Sequence, residues 1–276
     1  MPKALVIRAP GTNCDAEMCR GFELAGATPQ LVHIDTLIAH PGTLDSADLI
    51  GFPGGFSYGD DIASGRVFAM KIRESLFSPL REAARRGVPI IGACNGFQVL
   101  VQVGLLPGPS EGWTASGSES PIQTAALADN VSGRFVDRWV GVATPPRSNC
   151  IWTQGLGTAW SEGDTPSPHL HDIMMLPVAH GEGRFQAASD SVLDTLDRNG
   201  QIALTYTDNF NGSARSIAGI SDVSGRIFGL MPHPERFLDW TRHPYWTRLP
   251  AALRSKPTPG LLMFRNAVQA VVNAHA

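Results

Sequence analysis

The 276-residue sequence has no long apolar run, few cysteines and no surplus of either charge. No stretch approaches the roughly 18 consecutive apolar residues of a membrane-spanning helix, and Arg8 and Pro10 interrupt the opening residues before a signal-peptide core could form. The expected setting is cytoplasmic, with no membrane contact. Four cysteines, Cys14, Cys19, Cys94 and Cys150, are too few for a disulfide scaffold at this length, so each is expected as a free thiol. Cys14 and Cys19 have no second ligand pair, so no metal site is expected and they are read, with Cys150, as structural. Lys and Arg number 22 against 25 Asp and Glu. Without a cationic surplus there is no means of neutralising a phosphate backbone, and nucleic acid is not an expected partner. No internal repeat is evident.

Four short apolar runs are present, at 3–7, 30–34, 49–52 and 88–91, each closed by Gly, Pro or polar residues. Such runs suit strands buried on both faces of a parallel sheet. Between them, helical spacing covers 16–24, 67–86 and 97–103. The alternation predicts an α/β fold: a flavodoxin-like open, mostly parallel sheet with helices on both faces. The second half offers strands at 134–142, 202–206, 217–221 and 226–230, with turn signals at Asn211-Gly212 and Ser224-Gly225, which predict antiparallel hairpin strands added to the sheet. A closing helix follows around Leu261, Phe264, Val268 and Val271. The expected organisation is a single domain over 1–276, with loop insertions near 107–121 and 155–171, both rich in Gly, Ser, Pro and Thr and read as surface loops.

Chemistry concentrates in three places. In Gly92-Ala93-Cys94-Asn95-Gly96 a buried strand runs into a helix through Gly-x-Cys-x-Gly, the nucleophile-elbow pattern with Cys in place of Ser. The competing reading is a small buried residue flanked by packing glycines. Met231-Pro232-His233-Pro234-Glu235 follows a strand, and its two prolines predict an extended run in which His233 and Glu235 face the same way, as base and orienter. Alone, His-Pro-Glu would be a loop feature. Gly54-Gly55, after the 49–52 strand, lies where open α/β sheets bind ligands. Its backbone N–H groups could serve an oxyanion, with the Asn95 N–H as a further donor. A plain turn is the rival; a phosphate loop lacks the necessary glycine or lysine spacing.

These segments resemble the class I (triad) glutamine amidotransferases and, within them, the glutaminase subunits of phosphoribosylformylglycinamidine synthase. Further stretches carry the likeness: Pro10-Gly11-Thr12-Asn13-Cys14-Asp15, residues 132–139, residues 177–185 and Asn211-Gly212-Ser213. The resemblance implies a Cys94–His233–Glu235 triad that hydrolyses glutamine through a thioester, with oxyanion donors at Gly54, Gly55 and Asn95. It places Gln98, Asn211, Gly212 and Ser213 around the glutamine, and His180, Glu182 and Arg184 in contact with either substrate or partner. No cofactor is implied in this chain; ATP and Mg are implied on a separate formylglycinamidine ribonucleotide synthetase, with or without a small accessory subunit. Two rivals remain. A cysteine hydrolase of the α/β-hydrolase order would place its acid before the His, whereas Glu235 follows His233. A non-catalytic assembly subunit would not need all three triad residue types.

Overall fold

The computed structural model describes residues 1–113, 121–161 and 165–274. Its strands are β1 (Lys3–Arg8), β2 (Thr28–His33), β3 (Leu49–Phe52), β4 (Ile90–Ala93), β5 (Ala125–Asp129), β6 (Val136–Ala143), β7 (Met175–His180), β8 (Glu182–Ala187), β9 (Ile202–Tyr206), β10 (Ile217–Ser221) and β11 (Ile227–Leu230). The helices are α1 (Asp15–Leu24), α2 (Ile34–Ala39), α3 (Arg66–Ser75), α4 (Phe77–Arg85), α5 (Asn95–Val103), α6 (Leu170–Ile173), α7 (Asp190–Arg198), α8 (Ala251–Arg254) and α9 (Pro259–Ala274). None of the described helices is long and apolar enough to cross a membrane.

A nine-stranded sheet runs in the order β2-β1-β3-β4-β11-β10-β9-β6-β7, and β5 and β8 form a separate pair. Strands β2, β1, β3, β4 and β11 are parallel; from β11 outward every neighbour is antiparallel. The mostly parallel α/β sheet with added antiparallel hairpins is therefore the architecture expected. Alternation along each strand sends side chains to opposite faces. On β1, Leu5 and Ile7 pack with Phe68, Ile72 and Leu80 of α3 and α4, while Ala4 and Val6 join Met18 and Phe22 of α1 and Phe264 of α9. Helices thus cover both faces.

Several boundaries differ from expectation for identifiable reasons. The 67–86 helix is broken at Leu76, with φ −124 and ψ 0. Pro79 has no N–H for the Ser75 carbonyl and its ring would clash with it, so the chain starts a new helix. Residue 34 begins α2 rather than ending a strand. Strands β5, β7 and β8 and helix α7 were not anticipated. In β7, Pro177 masks the strand pattern; the sheet tolerates it because β7 is an edge strand, where a missing N–H costs no ladder bond.

The expected loop at 107–121 lies partly outside the described residues. Of the segment at 155–171, residues 162–164 lie outside the described residues, and the part before them is not a plain surface loop: Leu156 and Trp160 are fully buried with the α9 side chains, and Trp160 Nε1 donates to the Pro257 carbonyl at 3.2 Å. Leu156→Ala should therefore cost about 3 kcal/mol, the order of a buried leucine truncation, read as a shift in denaturant midpoint. A change below about 0.5 kcal/mol would return the segment to the class of disposable loops.

Candidate active site

Five segments converge at the carboxyl ends of the parallel strands: the loop after β1, the Pro53–Asp60 loop after β3, the β4–α5 junction, the residues after β11, and the β7–β8 turn. The register sets the central pair. Leu230 aligns with Ala93, and the Cys94 N–H bonds the Leu230 carbonyl at 2.8 Å. Three residues beyond Leu230, the His233 N–H is held by the Pro177 carbonyl at 2.8 Å.

Cys94 has φ 51 and ψ −107, a backbone state that a non-glycine residue adopts only under constraint. A merely buried small residue has no reason to be there. The turn is tight because β4 and α5 touch through their glycines: a Cβ on Gly92 would sit 2.7 Å from the Gly96 carbonyl carbon. Cys94 is thereby raised at the amino end of α5, where unpaired N–H groups, including that of Asn95, point outward.

His233 and Glu235 are buried, and His233 Nδ1 lies 2.6 Å from Glu235 Oε1. The expected fully extended run is replaced by a 3-10 turn over Pro234–Arg236, since the proline φ suits the first position of such a turn. The pairing survives because the turn folds Glu235 back under the ring. His233 Nε2 and Glu235 Oε2 have no hydrogen-bond partner among the described residues. Burial opposes the imidazolium, but the field of Glu235, with that of Cys94 and the Cys14 sulfur near Nδ1 as an acceptor, holds His233 well above the usual imidazole range.

Gly54 and Gly55 lie beside this pair. A Cβ on Gly54 would come within 2.6 Å of His233 Cε1, and Gly55, at φ +144, would place one 2.7 Å from the Asn13 backbone nitrogen. Only glycine lets the loop pass so close to the ring and to the residues before α1.

A cleft of about 200 Å³ opens on Cys94, lined by Gly55, Asp60, Gln98, His180 and Glu182 among others. A larger groove, about 880 Å³, runs between residues 107–111 and α7 and contains none of the candidate residues, so size does not locate the site. In the cleft, Gln98 accepts from Asn95 Nδ2 at 3.0 Å and donates to the Glu182 carbonyl at 2.5 Å. Asp60 accepts from Asn95 Nδ2 and Ser64 Oγ; burial, with the field of Glu182 added, raises its carboxyl above the usual range. His180 is 3% exposed with both ring nitrogens unpartnered among the described residues, and burial, with the field of His233, pushes it down to about 4.

Asn211, Gly212 and Ser213 do not reach the cleft wall. Asn211 Nδ2 donates to the Gly183 carbonyl, and Ser213 Oγ accepts from the Phe185 N–H, so the turn braces β8 from behind. Arg184 packs on that same side, its Cδ 3.3 Å from where a Gly212 Cβ would lie. None of these four lines the cleft; the Asn211 amide and the Ser213 hydroxyl are committed to protein backbone, while the buried Arg184 Nε has no hydrogen-bond partner among the described residues.

Sequence reasoning also missed groups. Asp60 and Ser64 line the cleft, and Cys14, read as structural, has its sulfur 3.8 Å from His233 Nδ1. Its position at the end of β1, on the same sheet edge as Gly54 and Cys94, was the available signal. The remaining thiols differ in kind. Burial and the field of Asp15 push Cys19 up to about 11, and burial pushes Cys150 up to about 12, leaving both poor nucleophiles at neutral pH.

Residues 1–271 match the family described as CobB/CobQ-like glutamine amidotransferase domain. A Dehalococcoides mccartyi protein named phosphoribosylformylglycinamidine synthase subunit PurQ is 42% identical over 273 residues, covering 97% of this chain and 96% of its own. A protein of the same name from Methanococcus maripaludis is 41% identical over 250 residues, covering 86% of this chain and 83% of its own. Among solved structures, a chain of PurLQS from Thermotoga maritima superposes with a TM-score of 0.66 at 30% identity, covering 100% of this chain and 99% of that one. The chain therefore belongs to the CobB/CobQ-like glutamine amidotransferase family, alongside the PurQ subunits of phosphoribosylformylglycinamidine synthase.

Proposed function

We propose that this chain is the glutaminase subunit of a phosphoribosylformylglycinamidine synthase, hydrolysing glutamine at Cys94 and passing the ammonia to a separate synthetase subunit. The observation that carries the chemistry is the strained Cys94 at a helix start, facing the cleft, with the buried His233–Glu235 pair beside it. The Cys94 thiol gives its proton to His233 Nε2, and the sulfur attacks the γ-carboxamide carbon of glutamine. The carbonyl oxygen becomes an oxyanion held by backbone N–H donors of Gly54, Gly55 and Asn95. Collapse of this intermediate breaks the carbon–nitrogen bond; the imidazolium returns its proton to the leaving nitrogen, releasing ammonia and leaving a γ-glutamyl thioester. Water, deprotonated by His233, then cleaves the thioester to glutamate and restores the thiol. Glu235 holds Nδ1–H and so keeps Nε2 facing the reacting atoms.

Gln98, His180 and Glu182, as cleft residues, contact the glutamine. The partner amidates formylglycinamide ribonucleotide using ATP and Mg, which this chain does not bind, and works with a small accessory subunit, in line with the composition named for the Thermotoga maritima assembly. The complex operates in the cytoplasm.

An electrophilic glutamine analogue, a diazo ketone, should attach to Cys94 alone in peptide mass mapping, with excess glutamine giving protection and Cys94→Ala abolishing the label. Preferential labelling of Cys14, Cys19 or Cys150, or no protection by glutamine, would remove Cys94 from its role.

A further inference from the structure

One side chain beside His233 has no part in the reaction just described. Cys14 is 1% exposed at the amino end of α1, its N–H bonded to the Gly54 carbonyl at 3.2 Å. Its sulfur accepts a hydrogen bond from Arg236 Nη2 at 3.1 Å, its S–H donates to Asn13 Oδ1 at 3.3 Å, and it lies 3.8 Å from His233 Nδ1. Glu235 meanwhile uses only Oε1 on His233; Oε2 is buried and has no hydrogen-bond partner among the described residues. Arg236 follows Glu235 in the same turn and lies within its field. A guanidinium beside a buried carboxylate with an open oxygen would ordinarily bond to it, because a charge-assisted N–H···O bond is stronger than one to sulfur. Here the hydrogen bond runs from Nη2 to the Cys14 sulfur instead, and none reaches Glu235 Oε2 among the described residues.

We propose that Cys14 is a positioning residue for the His233–Glu235 pair: its sulfur keeps the Arg236 guanidinium from bonding Glu235 and closes the Nδ1 side of the imidazole, so that the carboxylate hydrogen-bonds to His233 alone. This rests on His233 being the base of the glutaminase reaction. A carboxylate bonded only to an imidazole favours the imidazolium, whereas one shared with a guanidinium gives up part of that field. Among the described residues, the charged and titratable groups that act on His233 are Glu235 from its own turn, Cys94 from the β4–α5 junction, Cys14 from the start of α1 and His180 from the end of β7, while Arg236 acts through Glu235 and is itself faced by Cys14, Glu235 and Glu17 of α1. Arg236 is the permanent cation of this cluster, and Cys14 is what it bonds.

Removing the sulfur tests this. In Cys14→Ala, Arg236 is released toward Glu235 Oε2 and the His233 pKa should fall by roughly one unit, the lower end of what a neighbouring charge does. In the complex with the synthetase, the limb of the kcat/KM profile that reports His233 should move to lower pH by the same amount. Cys14→Ser, whose hydroxyl keeps an acceptor for Arg236, should stay near the wild type. The double variant Cys14→Ala with Arg236→Gln removes the released charge and should bring the limb back, which repair of a packing defect would not do.

An NMR titration of the His233 ring in the full chain, assigned with His233→Gln, reads the same shift without depending on turnover. It therefore fails or succeeds separately from the Cys94 labelling. An unchanged His233 titration in Cys14→Ala overturns the proposal, and so does a double variant whose titration stays where Cys14→Ala puts it.

Discussion

Replacing His233 by glutamine should lower glutamine hydrolysis by about 10²–10⁴, measured as glutamate release by the complex with its synthetase. The loss is large because one ring serves three transfers: it takes the thiol proton, returns it to the departing nitrogen and deprotonates the attacking water. Glutamine is the better variant than alanine because Glu235 is buried and His233 supplies its hydrogen bond. Deleting that partner would leave an uncompensated buried carboxylate, worth about 3–5 kcal/mol, and the assay would then report unfolding rather than catalysis. Glu235→Gln should be milder, since the amide oxygen can still accept from Nδ1–H and only the charge is lost. Product formation from added ammonium should survive both changes, because ammonia bypasses the thioester. Glu235→Gln less active than His233→Gln, or an ammonium-driven reaction that also needs His233, would reverse these assignments.

Much of this site was legible because its chemistry sits where strands end. The runs at 49–52 and 88–91 are apolar on both faces, which only a covered parallel strand requires, and the Gly-Gly and Gly-x-Cys-x-Gly that follow them fall at the sheet edge where open α/β folds bind ligands. His233 and Glu235 were legible as a pair but not in their geometry: prolines on both sides of His233 are compatible with an extended run and with a 3-10 turn, and the Pro177 carbonyl that fixes the His233 N–H is far away in sequence. Cys14 was legible only as a residue on the ligand-binding edge of the sheet, not in its contacts, for the same reason. Its neighbours His233 and Arg236 are 219 and 222 residues distant, and a lone cysteine before a helix carries no spacing that points to them. The Asn211-Gly212-Ser213 turn shows what composition leaves open, since polar side chains that brace a neighbouring strand have the same composition as side chains that bind a ligand. Strand β7 was hidden by Pro177, because the periodicity argument does not know which strands lie at an edge.

Gly96→Ala should destabilise the protein by more than about 4 kcal/mol, in the range reserved for overpacked or strained sites. Two effects compete. Alanine in the first turn of α5 gains about 1 kcal/mol of helix propensity over glycine. Against this, its Cβ would lie 2.7 Å from the Phe52 carbonyl carbon and closer still to the oxygen, with the Phe52 Cβ at 2.9 Å. The obstacle is backbone of β3, which cannot rotate aside as a flexible side chain could, so α5 must lift from the sheet. Lifting α5 moves Cys94, because the nucleophile is the residue that joins β4 to that helix. Whatever fraction still folds should therefore lose labelling by the glutamine analogue, linking a packing change to a chemical readout. Gly26→Ala is the control: at φ +94 it carries backbone strain, but nothing lies within 4 Å of the added Cβ, so its cost should stay near 1 kcal/mol with labelling intact. A Gly96→Ala protein that unfolds within about 1 kcal/mol of the wild type in denaturant and still labels at Cys94 would show that close contact with β3 does not hold the elbow in place.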